Sequence, residues 1–465
     1  MRPSRLFVVI VVSVGLLLVS EKPICSQTVV NVHNFTGDNS GFPFYVTPAQ
    51  GRDGRLYGTT GGLGGTNYGT IFKLSPSGAF QQIHSYDLTD GSEPNAGVTL
   101  ASDGTFYGTT GLGGNAGLGV LFRISATGAY TVLHEFAGGT EGAVPGSAPI
   151  DGLDGNLYGT TYGNATTVST IYKYTLASGT FATIYQFNNQ AEGSNVVASL
   201  LRGTDGNLYG TAYQGGSAGC GALFKLSTNG TLLWDYSFPC QPGGSSPIAP
   251  LIQATDGNFY GTTYQGGAYV YNYGTVFKLT TAGVVSILYS FQGFLNNDGA
   301  FPFGGLVQGS DGNLYGSTGG GGGRLGHGTL FQISTAGAYQ QIHVFTNTGT
   351  DPLAALMQDT SGLFYGTTLE GGPLGFGVVY SLNMGLAPFV ALVQYQGKVG
   401  GAAQILGQGL TGTTSVKFNG VAATSFTVVN DTYMTAVVPS GATTGRVVVA
   451  TPGGTLTSNK NFRIQ

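Results

Sequence analysis

Charge is what this sequence has least of: Asp, Glu, Lys and Arg together make up 8% of its 465 residues, against roughly 25% in an average globular chain. The formal net charge is −4, and it becomes −6 once Arg2, Arg5, Glu21 and Lys22 are removed with a leader. No basic footprint for nucleic acid exists at that balance. Partners are expected to be neutral or cationic. Several chemical signatures are also missing. The glycine run at 319–323 is not followed by G-K-[ST], so it is no phosphate loop. The D-x-D-x-D-G spacing of a calcium loop does not occur. No nucleophile with a general base beside it can be picked out, and no sorting motif or apolar anchor follows Phe462.

What is abundant is glycine, 82 residues, with 27 Phe and 26 Tyr. The glycines keep no three-residue period, which excludes collagen, and the aromatic content excludes disorder. Many short strands joined by tight turns fit both observations. At the N-terminus Arg2 and Arg5 precede an apolar run from Leu6 to Val19 and then small and polar residues up to Ser26, the pattern of a cleaved secretory signal. The run is short for a bilayer span, and Lys22, Pro23 and Ile24 ahead of Cys25 are unlike a lipoprotein signal. A secreted or cell-surface protein without a transmembrane segment in its mature chain is expected.

Self-similarity sets the fold. LYGTT at 56–60 recurs as FYGTT at 106, LYGTT at 157, LYGTA at 208, FYGTT at 259, LYGST at 314 and FYGTT at 364, a period of about fifty residues within propeller range. Each unit carries a second apolar stretch (IFKL at 71, LFRI at 121, VFKL at 276) and, after a short turn, a third (IHSY at 83, LHEF at 133, LYSF at 288). The last unit lacks its third stretch, whereas VHNF at 32–35 stands alone before the first unit. The N-terminal strand can therefore complete the last blade. The expectation is an all-β chain: a signal peptide over 1–26, a seven-bladed β-propeller of four-stranded blades over 27–384, closed by its N-terminal strand, and a C-terminal immunoglobulin-like β-sandwich over 385–465. An open solenoid is the alternative, but it needs no such strand exchange.

The YGTT, GTVFKL and LYSF stretches at this spacing resemble the GloVer tandem repeats of secreted bacterial proteins. The tail, TTSVKFNGVAATSFTV followed by AVVPSGATTGRVVVATPGG, looks like an IPT/TIG domain, an immunoglobulin-like extracellular module. Both resemblances imply surface location, and neither supplies catalytic residues.

The candidate residues follow from the repeat. Asp53, Asp103, Asp154, Asp205, Asp256 and Asp311, with Ser361 in the seventh unit, sit in Asp-Gly hairpin turns and are read as turn formers rather than metal ligands. His33, His84, His134 and His343 share one repeat position with Tyr185, Tyr236 and Tyr289, which points to a packing or hydrogen-bonding role between blades rather than metal ligation or proton transfer; His327 lies off the pattern. Cys220 and Cys240 flank a hairpin whose turn lies midway between them, so a disulfide is expected in an exported chain. The longer loops share one face and should present Tyr162, Tyr213, Tyr264, Tyr269 and Tyr271, with Asp90, Glu141, Glu192 and Asp298 from the loops between blades. Ring faces with hydrogen-bonding neighbours suit neutral sugar or peptide. The expected function is a non-enzymatic binding or adhesion module, recognising carbohydrate or a cell-surface protein. The alternatives are a polysaccharide hydrolase or lyase using Glu141 and Glu192 as its carboxylates, and a structural spacer of the cell envelope. No cofactor and no metal are called for, and a monomer is expected.

Overall fold

The computed structural model describes residues 27–37, 41–62, 68–162, 168–187, 192–295, 298–323, 326–347 and 349–465. The signal segment with Cys25 lies outside them. Among the described residues every regular element of more than three residues is a strand.

One repeat unit explains the rest. Ala49–Gln50, Leu56–Thr60, Thr70–Leu74 and Phe80–Ser85 pair in that order into a four-stranded sheet, and each neighbouring pair is antiparallel. The second strand, LYGTT, is buried on both faces, so its residues are chosen by packing rather than by alternation. Gly58 lies opposite Phe72 in the register. A Cβ at position 58 would stand 2.6 Å from the end of that ring, so glycine is required for the Phe72 ring to lie across the strand. The turn before the strand is closed by Asp53, whose carboxylate accepts the Arg55 amide at 3.2 Å and the Tyr57 hydroxyl at 2.9 Å. The tyrosine hydroxyl–aspartate bond recurs at Tyr107, Tyr158, Tyr209, Tyr260 and Tyr315. The turn reading of these aspartates thus gains a second part, since each satisfies a phenol carried by a buried residue. In the seventh unit Asp359 takes over, accepting Ser361 and Leu363 amides.

Seven such four-stranded sheets form among the described residues. One of them is made from both ends of the repeat region: Thr28–Asn34 pairs antiparallel with Val378–Asn383, with Thr28 opposite Asn383 and Asn34 opposite Val378. Packing between sheets closes the same circle. Tyr57 and Ile71 meet Phe106 and Phe122 of the next sheet, this pattern steps through each neighbour, and Tyr365 and Val379 of the last sheet meet Leu56 and Phe72 of the first. A buried hydroxyl ring follows it. The first hydroxyl residue of each YGTT-type strand donates to a carbonyl of the following unit, from Thr59 to Ala96 O at 2.6 Å around to Thr367 to Val46 O at 2.9 Å. The result is a propeller-like all-β fold.

Beyond residue 390 two further sheets share one apolar core. The four-stranded one runs Ala391–Leu392, Ala402–Leu406, Tyr433–Val437, Phe426–Asn430; the five-stranded one runs Gln396–Gly397, Gly454–Ile464, Gly445–Thr451, Ser415–Phe418, Val421–Ala422. Ile405, Phe418, Met434, Val447, Val449 and Phe462 fill the space between them. This C-terminal module sits on the Asp-Gly turns of the ring. Arg52 donates to Gln404 Oε1 at 2.6 Å and to Ser102 O at 2.8 Å, and its guanidinium lies 4.6 Å from the centre of the Tyr433 ring. Thr432 donates to Arg52 O, Gln408 to Thr360 Oγ1, and Tyr395 to Arg202 O.

Candidate functional site

The segment before the first strand of every unit runs past the centre of the ring, and together these segments line a cavity of about 690 Å³. Apolar and small residues dominate it, among them Val98, Ala148, Ala198, Ala249, Leu306 and Leu356, and among the described residues no Asp, Glu, Lys or Arg lines it. Small side chains are needed because all the units converge here, and only short ones leave a void.

Aromatic rings gather at this cavity. Tyr45, Tyr162, Tyr213, Phe44 and Phe303 line it, and Tyr264 packs beside Phe303 with ring centres 4.4 Å apart. Tyr45 stands 5.9 Å from Phe303 and 4.9 Å from Phe44. Burial, then the neighbouring phenols of Tyr264 and Tyr213, raises the Tyr45 pKa; burial, then Tyr213, does the same for Tyr264. These phenols thus lie close enough to feel one another, and Tyr45 and Tyr264 are held neutral at any physiological pH. Among the described residues the four tyrosine hydroxyls have no hydrogen-bond partner, and they remain available to a ligand.

Of the tyrosines expected on this face, the structure brings Tyr162, Tyr213 and Tyr264 together. Tyr269 and Tyr271 are elsewhere. They are 42% and 60% exposed, in a loop that Gln241 holds by donating to Tyr269 O at 3.0 Å, and Tyr271 stacks on Tyr273. Sequence reasoning missed Tyr45, Phe44 and Phe303. The available signal was the FPF triplet at 42–44 and again at 301–303, which stands just before the first strand of two units.

The four acids need correcting as presented ligand groups. Each is engaged at the histidine or tyrosine position of its own unit. Glu192 accepts the Tyr185 hydroxyl at 2.6 Å and Asp298 that of Tyr289 at 2.7 Å. Glu141 Oε2 lies 3.3 Å from His134 Nε2. Asp90 Oδ2 lies 2.9 Å from His84 Nε2, an ion-pair distance without hydrogen-bond alignment. Asp298 is only 7% exposed and also accepts the Gln292 and Gly293 amides. A polar ring at the outer edge of a blade needs a partner when it is half-buried, and the next loop supplies one. The rings themselves stack on the following blade, His84 on Tyr130 at 3.9 Å and His134 on Phe181 at 3.7 Å.

Cys220 and Cys240 are joined, with Cα atoms 5.3 Å apart. Among the described residues no group of three or more His, Cys, Asp or Glu could hold a metal, and no helix is long and apolar enough to cross a membrane.

A family model described as the Gloeobacter/Verrucomicrobia repeat matches residues 21–169, 147–321 and 199–434. No curated protein matches the chain. Similar solved structures include hydrazine synthase of Kuenenia stuttgartiensis, 13% identical, covering 74% of this chain and 97% of that one at a TM-score of 0.49. The Dos1 propeller is 10% identical, with 78% and 91% covered and a TM-score of 0.47. An oligogalacturonate lyase of Vibrio parahaemolyticus is 12% identical, with 76% and 93% covered and a TM-score of 0.44. Likeness at this level says nothing about function.

Proposed function

The chain belongs to the Gloeobacter/Verrucomicrobia repeat family, and we propose that it is a secreted, non-enzymatic binding protein that takes a neutral ligand at the mouth of its central cavity. In this reading the seven sheets are the blades of one propeller, and the C-terminal module is an IPT/TIG-like immunoglobulin fold. The carrying observation is the set of four tyrosines, Tyr45, Tyr162, Tyr213 and Tyr264, at a charge-free cavity with hydroxyls that no described residue engages. A sugar offers apolar C–H faces for the rings and hydroxyls for the phenols, and it carries no charge that this cavity would have to neutralise. A neutral peptide segment offers the same chemistry. The hydrolase or lyase alternative receives less support, because Glu141 and Glu192 are each engaged with a ring of their own blade.

The test is titration of the mature chain against a panel of neutral and acidic glycans and peptides. Saturable binding of a neutral member is expected. Tyr213→Ala with Tyr264→Ala should weaken it about tenfold or more, since each aromatic ring taken away from the ligand removes roughly 0.5–1.5 kcal/mol. No neutral binder, or binding indifferent to the double substitution, would sink this reading and favour the spacer. Turnover of any panel member would revive the enzyme.

A further inference from the structure

We propose a second binding site, independent of the central cavity, in the crevice between the Asp-Gly turns and the C-terminal module, which takes a small oxyanion carried as a phosphate or a sugar carboxylate. The crevice has a volume of about 300 Å³ and is lined by Ile150, Leu201 and Arg202 on the ring side and by Tyr395, Lys460 and Asn461 on the module side. That is at the lower end of ligand pockets, roughly 300–1,000 Å³.

Its charge is out of balance. Arg202 Nε and Nη1 are shut off from solvent and have no hydrogen-bond partner among the described residues, although a guanidinium carries five donors in a fixed fork suited to an oxyanion. Lys460 is open to solvent as a residue, yet the protein packed around its ammonium lowers its pKa by desolvation. That ammonium lies 5.8 Å from the centre of the Tyr395 ring. Neither cation forms an ion pair with a described carboxylate. Asp151 does line the crevice, but its oxygens accept the Ser102 amide at 3.1 Å and the Leu153 amide at 2.7 Å. Elsewhere the chain pairs several of its few cations: Lys225 lies 2.9 Å from Asp205 and Lys278 3.6 Å from Asp256. Most other described cations also lack a carboxylate, but these two line one crevice, one from each module, and Arg202 keeps two buried donors without a partner. Solvent does not reach Arg202 Nε and Nη1, and an anion seated in the crevice would both take up donors and offset the charge. The two cations come one from each module, and the Tyr395 hydroxyl bond to Arg202 O at 3.0 Å sets their register.

The experiment is calorimetric titration of the full chain at low ionic strength with inorganic phosphate, with D-galacturonate and with D-galactose. One anion per chain is expected to bind. Lys460→Met and Arg202→Met should each weaken it tenfold or more, and rising chloride should weaken it in the wild-type chain. Tyr213→Ala with Tyr264→Ala should leave it unchanged, which separates this site from the central one. Binding of phosphate alone, of galacturonate alone or of both identifies which oxyanion the site accepts, and galactose should not compete. If neither anion binds the wild-type chain, or if binding survives both cation substitutions, the proposal is overturned. Should Arg202→Met not fold, Lys460→Met decides, because its side chain makes no hydrogen bond or ion pair with a described residue whose removal could unfold the module.

Discussion

The two faces of the ring are built from the same strands, yet they are chemically opposite. On the loop face the chain leaves a cavity mouth rimmed by phenols and, among the described residues, free of charge. On the turn face the C-terminal module is seated through Arg52, Gln404, Tyr433 and Thr432, beside the unpaired Arg202 and Lys460. Turn length makes the difference. The Asp-Gly turns are short, with three residues between the closing pair Gly51 and Arg55 and the glycine at positive φ, so they end the sheets flush and give a second module a surface to rest on. The loops on the other side are long enough to carry tyrosines inward and too variable to form such a seat. A ring of near-identical units thus acquires two unlike ends without any change in its interior.

Breaking the restraint on each face in turn should expose the contrast. The largest effect is expected on the loop face, where the Cys220–Cys240 bridge closes a separation of 20 residues. Replacing both cysteines by alanine should remove about 3 kcal/mol of stability through freed chain entropy, read as a lowered denaturant midpoint, while the seat of the C-terminal module is undisturbed. A smaller effect is expected on the turn face. Arg52→Ala deletes charge-assisted bonds to Gln404 and to Ser102 O, worth about 2 kcal/mol together. Hydrogen exchange should then accelerate across Ala402–Leu406 and Tyr433–Val437, with neutral-ligand binding at the cavity intact. Loss of that binding in Arg52→Ala would mean that the faces are coupled, and the comparison would fail.

The interior of the molecule was far more legible than its faces. The YGTT strands, the paired strand stretches and the displaced VHNF segment were readable because every unit repeats one packing solution, so the sequence states the same constraint many times. The glycine and first threonine of YGTT carried more than their spacing reveals. Gly58 makes room for Phe72, and Thr59 binds the next unit, contacts across strands and sheets that linear order does not display. The candidate site was half legible. Tyr162, Tyr213 and Tyr264 directly follow YGTT-type strands and so share one radius. Tyr45 and Phe303 come from the segments before the first strand of two units distant in sequence, and only closure of the ring brings them to the same opening. The acids misled because Asp or Glu before Gly between blades looks the same whether it faces a ligand or the ring next to it. Asp298 shows which it is, with both oxygens occupied.

The smallest expected effect concerns those same pairs and would sharpen the contrast by pH. Burial lowers the pKa of His33, His84, His134 and His343 from the usual histidine value, against weaker opposing pulls from Asp90 on His84 and Glu141 on His134. The folded chain therefore holds these rings neutral where the unfolded chain would protonate them. At pH above about 6.5 both states are neutral and no stability depends on it. As pH falls below that value the unfolded state gains protons first, so stability is lost progressively until the lowered native values are reached. Asp90, raised chiefly by burial, works in the opposite sense, but nearer the carboxylate range. Melting temperature should accordingly drop as pH falls from neutral through about 6.5, and the same units should show the fastest exchange in their outer strands Phe80–Ser85 and Tyr130–Glu135. Replacing His84 and His134 by tyrosine, the residue the chain itself uses at 185, 236 and 289, should flatten the pH dependence while keeping the stacking on Tyr130 and Phe181. An unchanged slope in that double variant would place the acid sensitivity in other groups, with Asp298, Asp351 and Asp359 excluded by sign, since burial raises their pKa and acid would strengthen the fold through them.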